Sequence, residues 1–118
     1  MSNVAAPYTV ESHFEKSAKS VRATYAAILR AARALGEVRE DPKKTSIHLL
    51  RDSAFAGIAT QKEALILTLK ADRLVKSPRV RKSERTSKNR WHMELKLASP
   101  DDVDAELRRW LKAAFELA

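Results

Sequence analysis

Apolar residues recur every three to four positions at both ends of the chain and every second position in between. Over residues 21–35 the helical spacing predicts a long helix, with Ser17 as a candidate N-cap and Gly36 as a left-handed residue that ends it. Ahead of this segment, Thr9 can cap a short helix that contains Phe14. We therefore expect two helices before the first strand.

Alternation with a period of two predicts four strands in the segments TSIHLL, SAFAGIAT, ALILTLK and WHMELKL. The third is apolar on both faces, which is typical of a central strand. Gly57 interrupts the second and indicates a bulge or a close backbone approach. The stretch EVREDPKK is predicted to be a connection, because Pro42 disfavours both a helix and a central strand.

A clear capping signal precedes the last apolar stripe. Ser99 can act as N-cap, Pro100 stands at the first helical position, and Asp102 is placed for a capping box. Apolar residues at helical spacing over 103–117 then predict a helix that covers the sheet. The order α-α-β-β-β-β-α predicts an α+β fold, with a mainly antiparallel sheet of four or five strands and helices packed on one face. We expect one domain over residues 1–118, with a flexible segment at 1–8.

Composition narrows the function classes. The chain has 118 residues and no cysteine, so disulfides, thiolate chemistry and cysteine zinc sites are excluded. The N-terminus lacks the pattern of a secretory signal, and no apolar run is long enough to span a membrane. We therefore expect a cytoplasmic protein without a membrane partner.

The net charge of +8 is concentrated in residues 70–90, which hold nine positive side chains and two negative ones. Within this range, residues 73–90, here called the basic segment, predict an interaction with nucleic acid or another polyanion. The candidate contact residues are Arg73, Arg79, Arg81, Lys82, Arg85, Lys88 and Arg90. Strand parity places Arg79, Arg81 and Arg85 on one face. The alternation assigns Trp91 to the core, so the predicted contact with nucleic acid is electrostatic and includes no stacking of bases on this ring. The alternative is a hairpin whose charge only keeps it soluble and unpaired.

A second polar cluster is predicted on the exposed face of the sheet. If the strands of KKTSIHL and RWHMELK approach each other, cationic and hydroxyl side chains converge there and favour a small anionic ligand. This candidate ligand pocket comprises Lys44, Thr45, Ser46, His48, His92 and Lys96, with Arg90 at its border. Two histidines without a nearby carboxylate pair do not make a metal site, so no metal is expected.

Motifs for catalysis are missing from the sequence, which has no glycine-rich phosphate loop, HExxH or nucleophile elbow. The acidic residues at 101, 102, 104 and 106 are explained by the helix dipole that they complement. We expect no catalytic residue and no cofactor, and a binding domain rather than an enzyme.

Three segments together resemble a bacterial domain family of unknown function that carries the loose label "predicted transport protein". They are YTVESHFEKSAKSVRATYAAIL, KKTSIHLLRDSAFAGIATQKEALILTLK and SKNRWHMELKLASPDDVDAELRRWLKAAFELA. The resemblance covers nearly the whole chain, and relatives that occur beside nuclease-like modules imply a nucleic-acid setting. The element order is also similar to small frataxin-like ligand-binding domains. Relatives often have a second histidine after Trp-His, where this chain has Met93.

Three functions remain open from the sequence. The first is binding of nucleic acid or another polyanion by the basic segment, without sequence specificity. The second is binding of a small anion around His48 and His92. The third is interaction with an acidic protein, with a homodimer included.

Overall fold

The computed structural model describes residues 8–118 of the chain. The elements, in chain order, are a 3-10 turn (Glu11–Phe14), α1 (Lys19–Arg33), β1 (Arg39–Pro42), β2 (Ile47–Leu50), β3 (Ala54–Thr60), β4 (Leu65–Ala71), β5 (Val80–Ser87), β6 (Arg90–Leu97), a second 3-10 turn (Pro100–Asp102) and α2 (Ala105–Glu116). The flexible segment expected at 1–8 lies outside the described residues apart from Tyr8.

The strands form one antiparallel sheet in the order β1-β2-β3-β4-β6-β5. The predicted α+β class with a mainly antiparallel sheet is confirmed, but the sheet has six strands rather than four or five. Both additional strands, β1 and β5, lie at the edges. Pro42 is tolerated in β1 because an edge strand does not need every N–H for pairing.

One face of the sheet, here called the helix face, packs against α1 and α2. It presents alternate residues of the four inner strands, among them Leu49, Leu67 and Leu95, all almost fully buried. The opposite side, here called the open face, carries the intervening residues, which are half-buried or exposed. This single apolar core explains why the alternation in the four inner strands was so regular.

Two of the predicted features of α1 are wrong in detail. Ala18 is the N-cap and makes no side-chain cap bond, while the Ser17 hydroxyl donates to the Gln61 carbonyl at 2.8 Å and ties the helix to the sheet. Gly36 does not adopt the left-handed conformation, since no residue of the described range 8–118 has a positive φ. It lies instead against Phe115, whose Cζ would be only 2.9 Å from an added Cβ. Gly36 is therefore needed for close packing against Phe115 and not for the end of the helix.

The capping box predicted at Ser99 is present, but it begins the second 3-10 turn instead of α2. The Asp101 N–H donates to Ser99 Oγ at 3.0 Å, and the Ser99 N–H donates to Asp102 Oδ2 at 3.1 Å. The N-cap of α2 is Asp104, whose Oδ1 accepts the Leu107 N–H at 3.0 Å. Two caps in succession therefore turn the chain from β6 into α2.

In the pair of β2 and β3, the bulge lies at Phe55 rather than at Gly57. Leu49 pairs with Ala56 and Leu50 with Ala54, which leaves Phe55 as the extra residue of β3. The Phe55 ring packs edge-on against Phe115 with centroids 5.4 Å apart. Gly57 keeps regular pairing, so the expected bulge at this glycine is wrong.

Tyr25 joins helix α1 to the edge strand β1. Its ring is fully buried, and its hydroxyl donates to Glu40 Oε2 at 2.6 Å. Arg33 lies 3.5 Å from the other oxygen of the same carboxylate. Burial, together with the hydrogen bond to Glu40, raises the pKa of Tyr25. This contact anchors a strand whose own sequence is highly charged.

The raised pKa predicts a loss of stability in alkali. As pH rises, Tyr25 ionises near pH 10 in the unfolded chain but stays protonated in the folded one. Its contribution is therefore complete below about pH 10 and falls above it, by up to about 1.4 kcal/mol per pH unit. Denaturant unfolding between pH 8 and 11 should show a shallower pH dependence in Tyr25→Phe. Equal slopes in the two proteins would contradict the assignment.

Candidate functional site

A groove of about 240 Å³ runs along the open face over the two central strands. Its floor is formed by small residues of β3 and β4, because Gly57 and Ala59 face outward and Gly57 pairs with Thr68. No long side chain projects from these positions. The middle of the open face is therefore lower than its sides.

The walls of the groove come from β2 on one side and from β4 and β6 on the other. His48 pairs with Gly57 and its Cδ2 lies 3.6 Å from where a glycine Cβ would stand. Across the floor, Lys70 of β4 and His92 of β6 are direct cross-strand partners. Because β3 and β4 lie between the strands of His48 and His92, the two histidines line different sides of the groove.

The groove has a positive character. Lys70 supplies a positive charge. In the described part of the chain its Nζ makes one long hydrogen bond, to Ser53 Oγ at 3.4 Å. Ser46 and Thr68 add hydroxyl groups, and no carboxylate is among the lining residues. Three acidic residues of the open face lie outside the lining: Asp41 is opposite His48, Glu94 is opposite Lys82, and Glu84 is opposite His92. The groove therefore offers donors and one positive charge to a ligand.

The hairpin of β5 and β6 is the second candidate surface. Seven of the eight residues of β5 are exposed, which means that this edge strand is wet on both faces. The turn between the strands contributes Lys88 and Asn89. Most of the basic segment singled out in the sequence is thus carried on an exposed β-hairpin.

The alternation of faces along β5 is interrupted twice. The register with β6 shifts between Val80 and Lys82 and again between Arg85 and Ser87. Arg81 is left as an extra, unpaired residue between Val80 and Lys82, and Arg79 precedes the strand. The regular strand parity that predicted one shared face for Arg79, Arg81 and Arg85 is therefore absent. Lys82 pairs with Glu94 on the open face and Arg85 with Trp91 on the helix face, so cations lie on both faces of the hairpin.

Trp91 is not a core residue. It is half-buried and stands outside the main hydrophobic cluster. The Arg85 guanidinium lies 5.2 Å from its ring centroid. The same guanidinium donates to the carbonyls of Ser87 and Lys88 at 3.2 and 2.7 Å, which holds it near the hairpin turn. The hairpin thus includes an aromatic ring and a guanidinium in contact.

Arg79 is held by the start of α2. Its guanidinium is 27% exposed, donates to Asp104 at 2.9 Å and to Glu106 at 3.1 Å, and lies 5.8 Å from the Trp110 ring centroid. The Leu107 N–H and this guanidinium lower the pKa of Asp104. Arg79 therefore joins β5 to the helix layer and differs from the rest of the basic segment.

The predicted members of the basic segment fall into two groups. Arg73 pairs with Asp72 at 2.9 Å, and Arg79 has the partners described above. Within residues 8–118 the remaining five form no ion pair: Arg81, Lys82, Arg85, Lys88 and Arg90.

The predicted ligand pocket is likewise divided by the structure. Ser46, His48 and His92 line the groove, as the sequence placed them on one face. Lys44 and Thr45 line a separate shallow depression near His13, and Arg90 and Lys96 do not line the groove. The sequence analysis missed Thr68 and Lys70 as candidate ligand contacts, although their parity in ALILTLK with the outward-facing Ile66 was a usable signal.

Comparison with known families covers almost the whole chain. Residues 10–118 match the model of a family described as "Domain of unknown function (DUF5655)". The chain belongs to this family. No curated protein and no solved structure matches it. For this member of DUF5655, the groove and the hairpin therefore have to be interpreted from their own chemistry.

Within residues 8–118 of this DUF5655 domain, no helix is both long enough and apolar enough to cross a membrane. In the same range, no three His, Asp or Glu side chains are grouped so that they could hold a metal ion.

Proposed function

We propose that this domain binds single-stranded nucleic acid, without sequence preference, through the β5–β6 hairpin. The observation that carries the proposal is the set of five hairpin cations without an ion-pair partner in the described residues. Cations that are not neutralised by the protein itself attract phosphates and release their counterions. A hairpin that is exposed on both faces can reach a strand without rearrangement of the core.

Trp91 and Arg85 favour a single strand over a duplex. Bases that are not stacked in a helix can pack on an aromatic ring or on a guanidinium plane, and such stacking tolerates any sequence. A duplex offers mainly its phosphates to an exposed hairpin of this kind. Stacking on Trp91 and Arg85 therefore strengthens the binding of a single strand beyond electrostatic attraction, and a duplex does not use this contact.

The salt dependence of binding tests this proposal. We expect a labelled single-stranded oligonucleotide to bind at low salt, with a slope of log affinity against log salt of about −2 to −4, from three to five phosphate contacts. Two unrelated sequences of equal length should bind within a few-fold of each other, and more tightly than the matching duplex. Fluorescence anisotropy measures all three affinities.

Two outcomes would contradict the proposal. The first is no binding to any oligonucleotide at low salt, which would leave the hairpin charge as protection of an edge strand. The second is binding that does not change with salt, because contacts with phosphates necessarily respond to salt.

A further inference from the structure

Gly57 occupies a position where the fold does not require glycine. Its φ is not positive, its pairing with β2 and β4 is regular, and an added Cβ would meet only His48 Cδ2, at the ordinary contact distance of 3.6 Å. Glycine inside a strand costs stability, because it loses more backbone freedom on folding and packs no side chain. The sheet would therefore gain stability from a larger residue here.

The groove, in contrast, does require a residue without a side chain at this point. Gly57 forms the floor between His48 and the central strand β4, and any larger side chain would fill the space that gives the groove its 240 Å³. On the same strand, Ala59 is also small. Gly57 and Ala59 thus keep the groove open at a cost to the stability of the sheet.

We infer that this groove binds a small organic acid, with one carboxylate and a compact apolar body. Lys70 supplies the single positive charge, the hydroxyls of Ser46 and Thr68 and the imidazoles of His48 and His92 supply donors, and Gly57 leaves the floor bare. The absence of a carboxylate from the lining favours an anion over a cation. A mostly apolar floor and a volume just below the usual range of ligand sites suit a compact molecule rather than a long chain. This site is separate from the hairpin cations and does not depend on the nucleic-acid proposal.

Benzoate, with benzamide as its neutral counterpart, is a suitable pair of probes for the ¹⁵N-labelled full chain. We expect benzoate to shift the amide signals of Gly57, Thr68 and Lys70 in a saturable way, and benzamide to bind more weakly. Lys70→Met, which keeps the length of the side chain, should weaken benzoate binding about tenfold or more, the value of one hydrogen bond to a charged group. Lys96→Met is the matched control: it removes the same charge from the open face outside the groove and should leave the affinity unchanged.

Gly57 gives a second test with two readouts. Gly57→Ala should raise the melting temperature, and Gly57→Val should fill the floor and abolish the benzoate shifts while the spectrum of the folded protein is retained. The inference is overturned if benzoate produces no saturable shifts, if Lys96→Met weakens binding as much as Lys70→Met, or if Gly57→Val still binds. None of these results bears on binding of an oligonucleotide by the hairpin, so the two proposals fail separately.

Discussion

Leu107→Ala is expected to lower the free energy of unfolding by about 2 to 5 kcal/mol. Leu107 lies in the first turn of α2 and is completely buried against the core, so that its truncation removes apolar contacts and leaves a cavity. Neighbouring helix and sheet residues can fill such a cavity only in part, which is why the cost exceeds simple transfer of the lost methyl groups to water. Denaturant unfolding of the two proteins measures the difference.

Two capping variants serve as the comparison. Ser99→Ala removes the cap of the 3-10 turn, and Asp104→Ala removes the cap of α2; each is expected to cost about 1 kcal/mol. Asp104 also accepts from Arg79, so its variant should be the more costly of the two. A Leu107→Ala protein less affected than Ser99→Ala would contradict the assignment of the core face of α2.

The strands that bury one face in the core could be predicted from the sequence, whereas the two edge strands, β1 and β5, could not. The strands β2, β3, β4 and β6 each place alternate residues in the core, and that burial enforces the alternation. The edge strand β5 has seven exposed residues of eight, so its amino acids carry no periodic signal. The other edge strand, β1, is charged and is secured by the contact between Glu40 and Tyr25 of α1, which no local pattern reveals. Edge strands are therefore defined by their partners rather than by their own sequence.

Glycines and caps show the same division between local and tertiary causes. The Ser99 capping box could be predicted because all its atoms lie within four residues. Gly36 could not, because its role depends on the Phe115 ring at the far end of the chain. The same holds for Ser17, whose hydroxyl meets the carbonyl of Gln61 on another element.

The candidate sites were predictable as far as strand parity was regular. His48 and His92 lie on inner strands, where His48 pairs with Gly57 and His92 with Lys70, and the open face they share followed from alternation. In β5, register shifts at Arg81 and Thr86 interrupt the alternation that the prediction assumed, and a strand exposed on both faces does not resist such shifts. Lys70 was counted only in the positive charge of residues 70–90, although its strand places it in the groove.

Reversing three charges on the hairpin is expected to weaken oligonucleotide binding about 100-fold or more, measured at roughly 0.1 M salt. The variant is Arg81→Glu with Arg85→Glu and Lys88→Glu, all at exposed positions without an ion pair in the described part of the chain. Each change removes a phosphate contact and adds repulsion. The salt dependence should therefore weaken, with the magnitude of the slope of log affinity against log salt smaller by about 2. The fold should remain, since exposed substitutions usually change stability by about 0.5 kcal/mol or less each.

A matched control separates the hairpin from total charge. Lys19→Glu with Arg109→Glu and Lys112→Glu makes the same change in net charge on the two helices, also at exposed positions outside any ion pair of residues 8–118. Because contacts act within about one Debye length, roughly 10 Å at 0.1 M salt, the helix variant should keep an affinity within a few-fold of the unmodified protein. Equal loss in both variants would mean that the oligonucleotide responds to overall charge, and the hairpin would then be only a protected edge of the sheet.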